Sequence, residues 1–276
     1  MARNIKMKTD PGARRTITAN YHTHTYRCKH ARGDVIDYAA KASENNLKIL
    51  GMSDHSPFPD RRWAESRMDI DELDSYDNAV ITARKAYPNL KILKSMECDW
   101  TPEYKNFYIE EFKDKRNYDY LIGAVHYFCY KGEWIFAFTQ DAYGRAAEYA
   151  DAVVKMIESE IFDFIAHPDL FGLFTFKWDK EAVKASREIC EAAKAFNTPL
   201  EINGGGFRRP LMKTSEGIRY PYPVDAFWEI AADCGVETIC SSDAHIPDDI
   251  ISSMDLCEDV AKRKGLSIAR LQFMNE

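Results

Sequence analysis

Two kinds of hydrophobic pattern alternate along this chain. Short continuous apolar runs lie near residues 16–20, 47–52, 90–96, 119–125, 162–166, 199–202 and 236–240. Runs of this length bounded by polar residues read as strands buried on both faces. Between them, apolar positions recur every three or four residues over roughly 34–46, 70–86, 141–158, 179–196, 223–234 and 249–264, the period of amphipathic helices. Asp34 is placed to cap the first helix, whose apolar face comprises Val35, Ile36, Ala39, Ala40 and Leu47. The second ends before Pro88, as a helix should. Residues 100–118 and 127–141 show no clear strand and are expected to form loops or short helices.

Seven strands, most followed by a helix, imply a parallel sheet, either closed into a barrel or open and doubly wound. The polar residues at the strand ends decide between them. TITANY leads into His22 and His24, with His30 six residues on. LKILGM leads into Asp54-His55, YDYLIGAV into His126, FDFIA into His167, and VETIC into Asp243-Ala244-His245. A further run, LKILKSM, delivers Glu97. All seven histidines therefore follow strands. In a barrel every strand C-terminus reaches one rim, whereas in an open sheet these ends would spread along a line. The expected fold is α/β, a distorted seven-stranded (β/α)7 TIM-like barrel, with residues 1–276 forming one domain and 1–15 a loose leader.

Composition narrows the partners. Apolar residues make up 45%, enough for a large core, and the net charge of −7 argues against an extended nucleic-acid surface. No apolar stretch reaches the roughly 20 residues that span a bilayer, and the basic N-terminus lacks the apolar segment of a secretory signal. Seven cysteines with no C-x-x-C spacing suit reduced thiols and a cytoplasmic setting. Cys28 stands out because it lies between His24 and His30. The helix patterns single out no subunit interface.

Imidazole and carboxylate donors suit zinc, manganese or iron rather than calcium. Alternate residues of an extended segment face one side, so His22 and His24 can share a metal, and Asp243 and His245 repeat the spacing. One histidine after a strand is ordinarily a capped or partly buried side chain. Seven, with none left for the surface, point to a multinuclear metal site and a metal-dependent hydrolase. An amidohydrolase-type barrel would leave the Ser-Asp-His segment unexplained. A non-catalytic metal protein would have saturated sites, whereas a catalytic one keeps a position open.

The segments HTHT with CKHARGDV, GMSDHSPFP, KILKSMECDW, DYLIGAVHYF, FDFIAHPDL, PLEINGGGFRRP and ICSSDAH resemble, in this order, the PHP (polymerase and histidinol phosphatase) family. Within it they are most similar to the histidinol-phosphate phosphatase branch. The resemblance implies a seven-stranded barrel with three divalent transition-metal ions. The first would take His22, His24, Glu97 and Asp243. The second would share Glu97 and add His126 and His167, and the third would take His30, His55 and His245. It also implies a small phosphorylated metabolite as substrate, L-histidinol phosphate first, with a nucleotide or another small phosphate ester as the alternative.

Asp54 and Asp99 are expected to orient imidazoles or bound water, and Asp54 is a candidate catalytic group. Asn203, Arg208 and Arg209 are expected against the substrate. Arg208 is assigned the phosphate because it follows Gly204-Gly205-Gly206 and matches the family's phosphate-binding arginine. Two departures stand out. The Thr-Ala-Gly-Leu common after the asparagine is Gly-Gly-Gly-Phe here, and Gly172 replaces an arginine many relatives carry. Lys177, Arg62 or Lys29 are candidates to replace it.

Overall fold

The structure is a computed structural model and describes residues 17–271. The expected leader, 1–15, lies outside the described residues. Eight strands form one curled sheet: β1 (Ala19–Asn20), β2 (Ile49–Met52), β3 (Lys91–Asp99), β4 (Tyr120–Ala124), β7 (Phe164–Ile165), β8 (Leu200–Asn203), β11 (Glu237–Ser241) and β12 (Ser267–Ile268). They neighbour one another in that order, and every pairing is parallel. The sheet curls until its first and seventh strands meet just above their ends. A parallel bridge joins Thr23 to Ala244, and the Asn20 amide donates to Ser242 Oγ at 2.6 Å. The eighth strand pairs with the lower end of β11, where Thr238 faces Ile268.

Six helices cover the outside: Val35–Glu44, Leu73–Ala86, Ala146–Glu158, Lys180–Ala195, Asp225–Cys234 and Met254–Lys264. Asp34 caps the first in a capping box with Asp37, worth about 1 kcal/mol. The strand period of two divides the core. Tyr120, Ile122 and Ala124 point inward to a small cluster with Leu93, Phe164 and Ile239. Their neighbours Leu121, Met96 and Cys98 join the larger core beneath the helices.

Two segments differ from expectation. Residues 127–141 contain an antiparallel hairpin, β5 (Tyr127–Tyr130) with β6 (Glu133–Phe136), not loops or short helices alone. Lys131 and Gly132 both take positive φ, the pair of left-handed residues that a two-residue hairpin turn requires. A second small hairpin, β9 (Met212–Thr214) with β10 (Gly217–Arg219), lies beyond the Gly-rich segment. Residues 102–115 are short helical turns, including a π-helical stretch over Tyr108–Lys115. No helix among the described residues is long and apolar enough to cross a membrane.

Candidate metal centre

The strand ends converge on Glu97. On β3 the inward face carries Leu93 and, by the same alternation, Ser95, Glu97 and Asp99. The Glu97 carboxylate is buried among five imidazoles. Its Oε2 lies 2.9 Å from His55 Nδ1, 3.4 Å from His22 Nε2 and 3.7 Å from His24 Nε2. Its Oε1 lies 3.0 Å from His167 Nε2 and 3.7 Å from His126 Nε2. Asp243 Oδ1 stands 3.0 Å from His24 Nε2 and 3.6 Å from His22 Nε2. Nearer the mouth, His30 Nε2 and His245 Nε2 are 3.1 Å apart.

Second contacts aim these rings. His22 Nδ1 meets Glu201 Oε1 at 2.8 Å, and His126 Nδ1 meets Asp99 Oδ1 at 3.0 Å. Asp99 is in turn gripped by the buried Arg67 at 2.7 Å. His30 Nδ1 lies 2.8 Å from the Cys28 carbonyl, and His245 Nδ1 lies 3.1 Å from that of Asp243. Carbonyls and carboxylates accept only, so these contacts place the proton on Nδ1 and leave the Nε2 lone pair facing the cluster. Two such lone pairs, on His30 and His245, cannot hydrogen-bond each other. They suit a cation between them.

The buried polar atoms support the same fit. His22 Nε2, both ring nitrogens of His24, Glu97 Oε2 and Asp243 Oδ1 are buried without a hydrogen-bond partner. Such atoms are costly unless a ligand satisfies them. The donors fall into triads whose atoms lie within 4.8 Å of one another: His22, His24 and Asp243; Glu97, His126 and His167; and His30, His55 and His245. This nitrogen and carboxylate set fits divalent transition-metal ions. His167 and Asp243 hold left-handed backbone, at φ 30° and 53°, costing on the order of 1–3 kcal/mol each. Strain at two donors marks a site held in place by its surroundings.

Titration follows the charges. Burial lowers the pKa of His22, but Glu201, Asp243 and Glu97 outweigh it and raise it well above the ordinary value. Burial is likewise overcome at His24 by Asp243 and Asp54, which bring it to about 9, and at His126 by Asp99 and Glu97. Burial prevails at His55, His30 and His245, the last falling to about 3. Glu97 and Asp243, which burial alone would raise, are held well below the carboxylate range by surrounding imidazoles.

A cavity of about 330 Å3 opens above the donors. Its wall holds Arg67, Arg209, Tyr222, Tyr127, Phe136 and Phe138. Arg209 Nε donates to Tyr222 Oη at 2.9 Å, and its guanidinium lies 4.7 Å from the Phe138 ring centre.

The residues expected at the substrate divide. Arg209 reaches the cavity; Arg208 does not line it. The Arg208 guanidinium donates to the carbonyls of Ser242 and Asp243 at 2.8 and 2.9 Å and of Ser252 at 3.2 Å, and pairs with Asp249. Those carbonyls leave it a brace for the Asp243 turn rather than a phosphate contact. Asn203 is also a brace, donating to Glu201 at 2.7 Å and to Asp243 at 3.2 Å. Asp54 lies behind the ligands, accepting from the Thr25 amide and hydroxyl and from the His55 amide. It positions the site and does not face the cavity. Among the stand-ins for the arginine, Lys29 pairs with Asp69, Arg62 pairs with Asp60 and Glu103, and Lys177 lines a separate groove. At Gly172 a Cβ would lie 2.3 Å from the Pro221 carbonyl, so the 221–224 segment occupies a side chain's space. Sequence reasoning missed Glu201 and Arg67. Glu201 had one available signal, its place in the inward alternation of an apolar strand.

Comparison with known proteins agrees with this geometry. The PHP domain family model matches residues 20–204. A Deinococcus radiodurans protein described as "Probable histidinol-phosphatase" is 28% identical over 240 residues, covering 83% of this chain and 86% of that protein. A Schizosaccharomyces pombe protein of the same description is 20% identical over 274 residues, covering 89% of this chain and 86% of its own. Among solved structures, Lactococcus lactis histidinol phosphate phosphatase, complexed with zinc, L-histidinol and phosphate, superposes with a TM-score of 0.70 at 18% identity. That alignment covers 93% of this chain and 97% of the other and shows a shared fold. With a family model spanning most of the sheet and every early donor from His22 to His167, this chain belongs to the PHP domain family.

Proposed function

We propose that this chain is a phosphomonoesterase hydrolysing L-histidinol phosphate to L-histidinol and phosphate, with three divalent ions held by the three donor triads. The observation that carries the reading is the triads' junction at buried Glu97, directly beneath a cavity that also presents an arginine. His22, His24, Glu97 and Asp243 would hold one ion, Glu97, His126 and His167 a second, and His30, His55 and His245 a third. When bound, such ions acidify water and neutralise charge on phosphoryl oxygens. The related proteins named as histidinol-phosphatases support the substrate.

The chain's own residues supply position. Among the described residues no carboxylate pairs with Arg209, so its free guanidinium donors can fork onto phosphate oxygens. Tyr222 and Phe138 hold that guanidinium at a fixed angle, which favours in-line attack. Arg67 steadies His126 through Asp99. Tyr127, Phe136 and Phe138 give the leaving group an apolar wall and exclude water.

Phosphate release by zinc- or manganese-loaded protein should be much faster from L-histidinol phosphate than from p-nitrophenyl phosphate or a nucleoside monophosphate. Equal rates on all three would remove the specific substrate. No release from any would remove the phosphatase reading.

A further inference from the structure

Cys28 is the one donor-type side chain at the cluster to which the proposed function gives no task. It ends the short turn Tyr26–Cys28 and is fully buried. Lys29 follows in left-handed backbone, turning the chain so that His30 faces back over Cys28. The Cys28 Sγ then lies 3.9 Å from His30 Nε2, the same lone pair that meets His245 Nε2 at 3.1 Å.

Cys28, His24 and His245 also form a group with donor atoms within 4.8 Å of one another. Within it, both ring nitrogens of His24 are buried without a hydrogen-bond partner. An unsatisfied donor thus faces this space from the His24 side. His24 Nε2, at 3.0 Å from Asp243, belongs to the inner donors, which leaves the sulfur to His30 and His245.

Distances on one tetrahedral zinc are set by its bond lengths. With Zn–S near 2.3 Å and Zn–N near 2.1 Å, nitrogen and sulfur sit ~3.6 Å apart and two nitrogens ~3.4 Å. The observed 3.9 and 3.1 Å lie within a few tenths of these values.

We propose that the Cys28 thiolate is a fourth donor to the ion held by His30, His55 and His245, making this a tetrahedral, sulfur-containing position that prefers zinc. The inference rests on the three-ion reading above. On binding, the Cys28 S–H bond breaks, its proton leaves to solvent, and the sulfur electron pair forms the bond to the ion. Nothing is oxidised or reduced. A soft thiolate selects zinc over manganese.

The test adds cobalt(II) chloride to the chelator-stripped full chain. Wild-type protein should take up cobalt and show a near-ultraviolet sulfur-to-cobalt charge-transfer band. That band should vanish in Cys28→Ser and Cys28→Ala and persist in Cys129→Ser, whose sulfur is exposed on the β5–β6 hairpin. Both Cys28 variants should retain one cobalt equivalent less after dialysis. Full uptake without the band, or an undiminished band in the Cys28 variants, overturns the assignment and leaves the phosphatase reading intact. No uptake by the wild type overturns the metal reading as well. Should the variants fail to fold, zinc-edge X-ray absorption on wild-type protein decides the matter. A Zn–S shell near ~2.3 Å supports the proposal, and its absence sinks it.

Discussion

Replacing Glu201 with glutamine tests whether the buried carboxylates behind the ligands govern metal binding. Glu201 Oε1 faces His22 Nδ1 at 2.8 Å, while Oε2 accepts from the His167 amide at 3.1 Å and from Asn203 at 2.7 Å. Every neighbour is a donor. A glutamine of the same shape must point its NH2 at His22 or at the other two, so at least one buried donor loses its acceptor. Each such loss costs about 1–3 kcal/mol. For a chain of this size that lowers Tm by roughly 2–10 °C. The ring of His22 also loses the charge that fixes its tautomer, so affinity for the ion at His22 and His24 should fall about 10- to 100-fold. Competition with a chromophoric zinc chelator reads the affinity, and calorimetry reads the Tm. A Glu201→Gln protein that keeps wild-type zinc affinity and melting temperature would refute the role given to Glu201.

The two arginines should separate in kinetics. Arg209→Ala removes a charged contact worth about 1.5–3 kcal/mol, so kcat/KM should fall about 10- to 150-fold with metal content unchanged. Arg208→Ala strips donors from the Ser242, Asp243 and Ser252 carbonyls and should instead lower metal retention, read by metal analysis after dialysis. Gly172→Ala brings a Cβ to 2.3 Å from the Pro221 carbonyl and 2.5 Å from Val224. It should destabilise by about 1–3 kcal/mol in denaturant titration, so an arginine cannot simply be restored there. In chelator-treated protein, His24 has a folded pKa of about 9 against an ordinary 6.5. Its contribution is complete below about 6.5 and is lost as pH rises to about 9, with His22 and His126 acting in the same sense. The Tm of that protein should therefore fall across this window. Zinc-loaded protein should not, because ligation favours the deprotonated imidazoles. A rising Tm in the chelated protein would contradict the ordering of charges.

Much of this was legible because period and position coincide. Seven apolar runs became seven of the strands, and six of them run into metal donors because the C-terminal ends of parallel strands share one rim. The eighth strand escaped because two residues, Ser267–Ile268, leave no periodic trace. The β5–β6 hairpin was written in the sequence as aromatic residues on both sides of Lys131-Gly132, a strand signal masked by the expectation of rim loops. Arg208 and Arg209 show where sequence stops. Adjacent and chemically alike, they differ only in direction. The short helix Gly204–Phe207 turns one toward the carbonyls around Asp243 and the other toward Tyr222. Strand alternation could place Glu201 inward but not give it a task, because a lone carboxylate in an apolar strand declares its role only through the histidine it meets across the barrel.

Charge explains why such a cluster can exist in a barrel interior. Asp54, Glu97, Asp99, Glu201 and Asp243 are all buried around the histidines; the buried Arg67 pairs with Asp99, and the buried Arg27 pairs with Asp34. These carboxylates outnumber the guanidinium that pairs with one of them, an excess of negative charge that a low-dielectric interior does not tolerate unpaired. Protons are the nearest remedy, and the raised pKa values of His22, His24 and His126 are that remedy. His30, His55 and His245 stay neutral because fewer carboxylates face them and burial prevails. The carboxylates behind the histidines thus favour divalent cations at the cluster as strongly as the donor triads themselves.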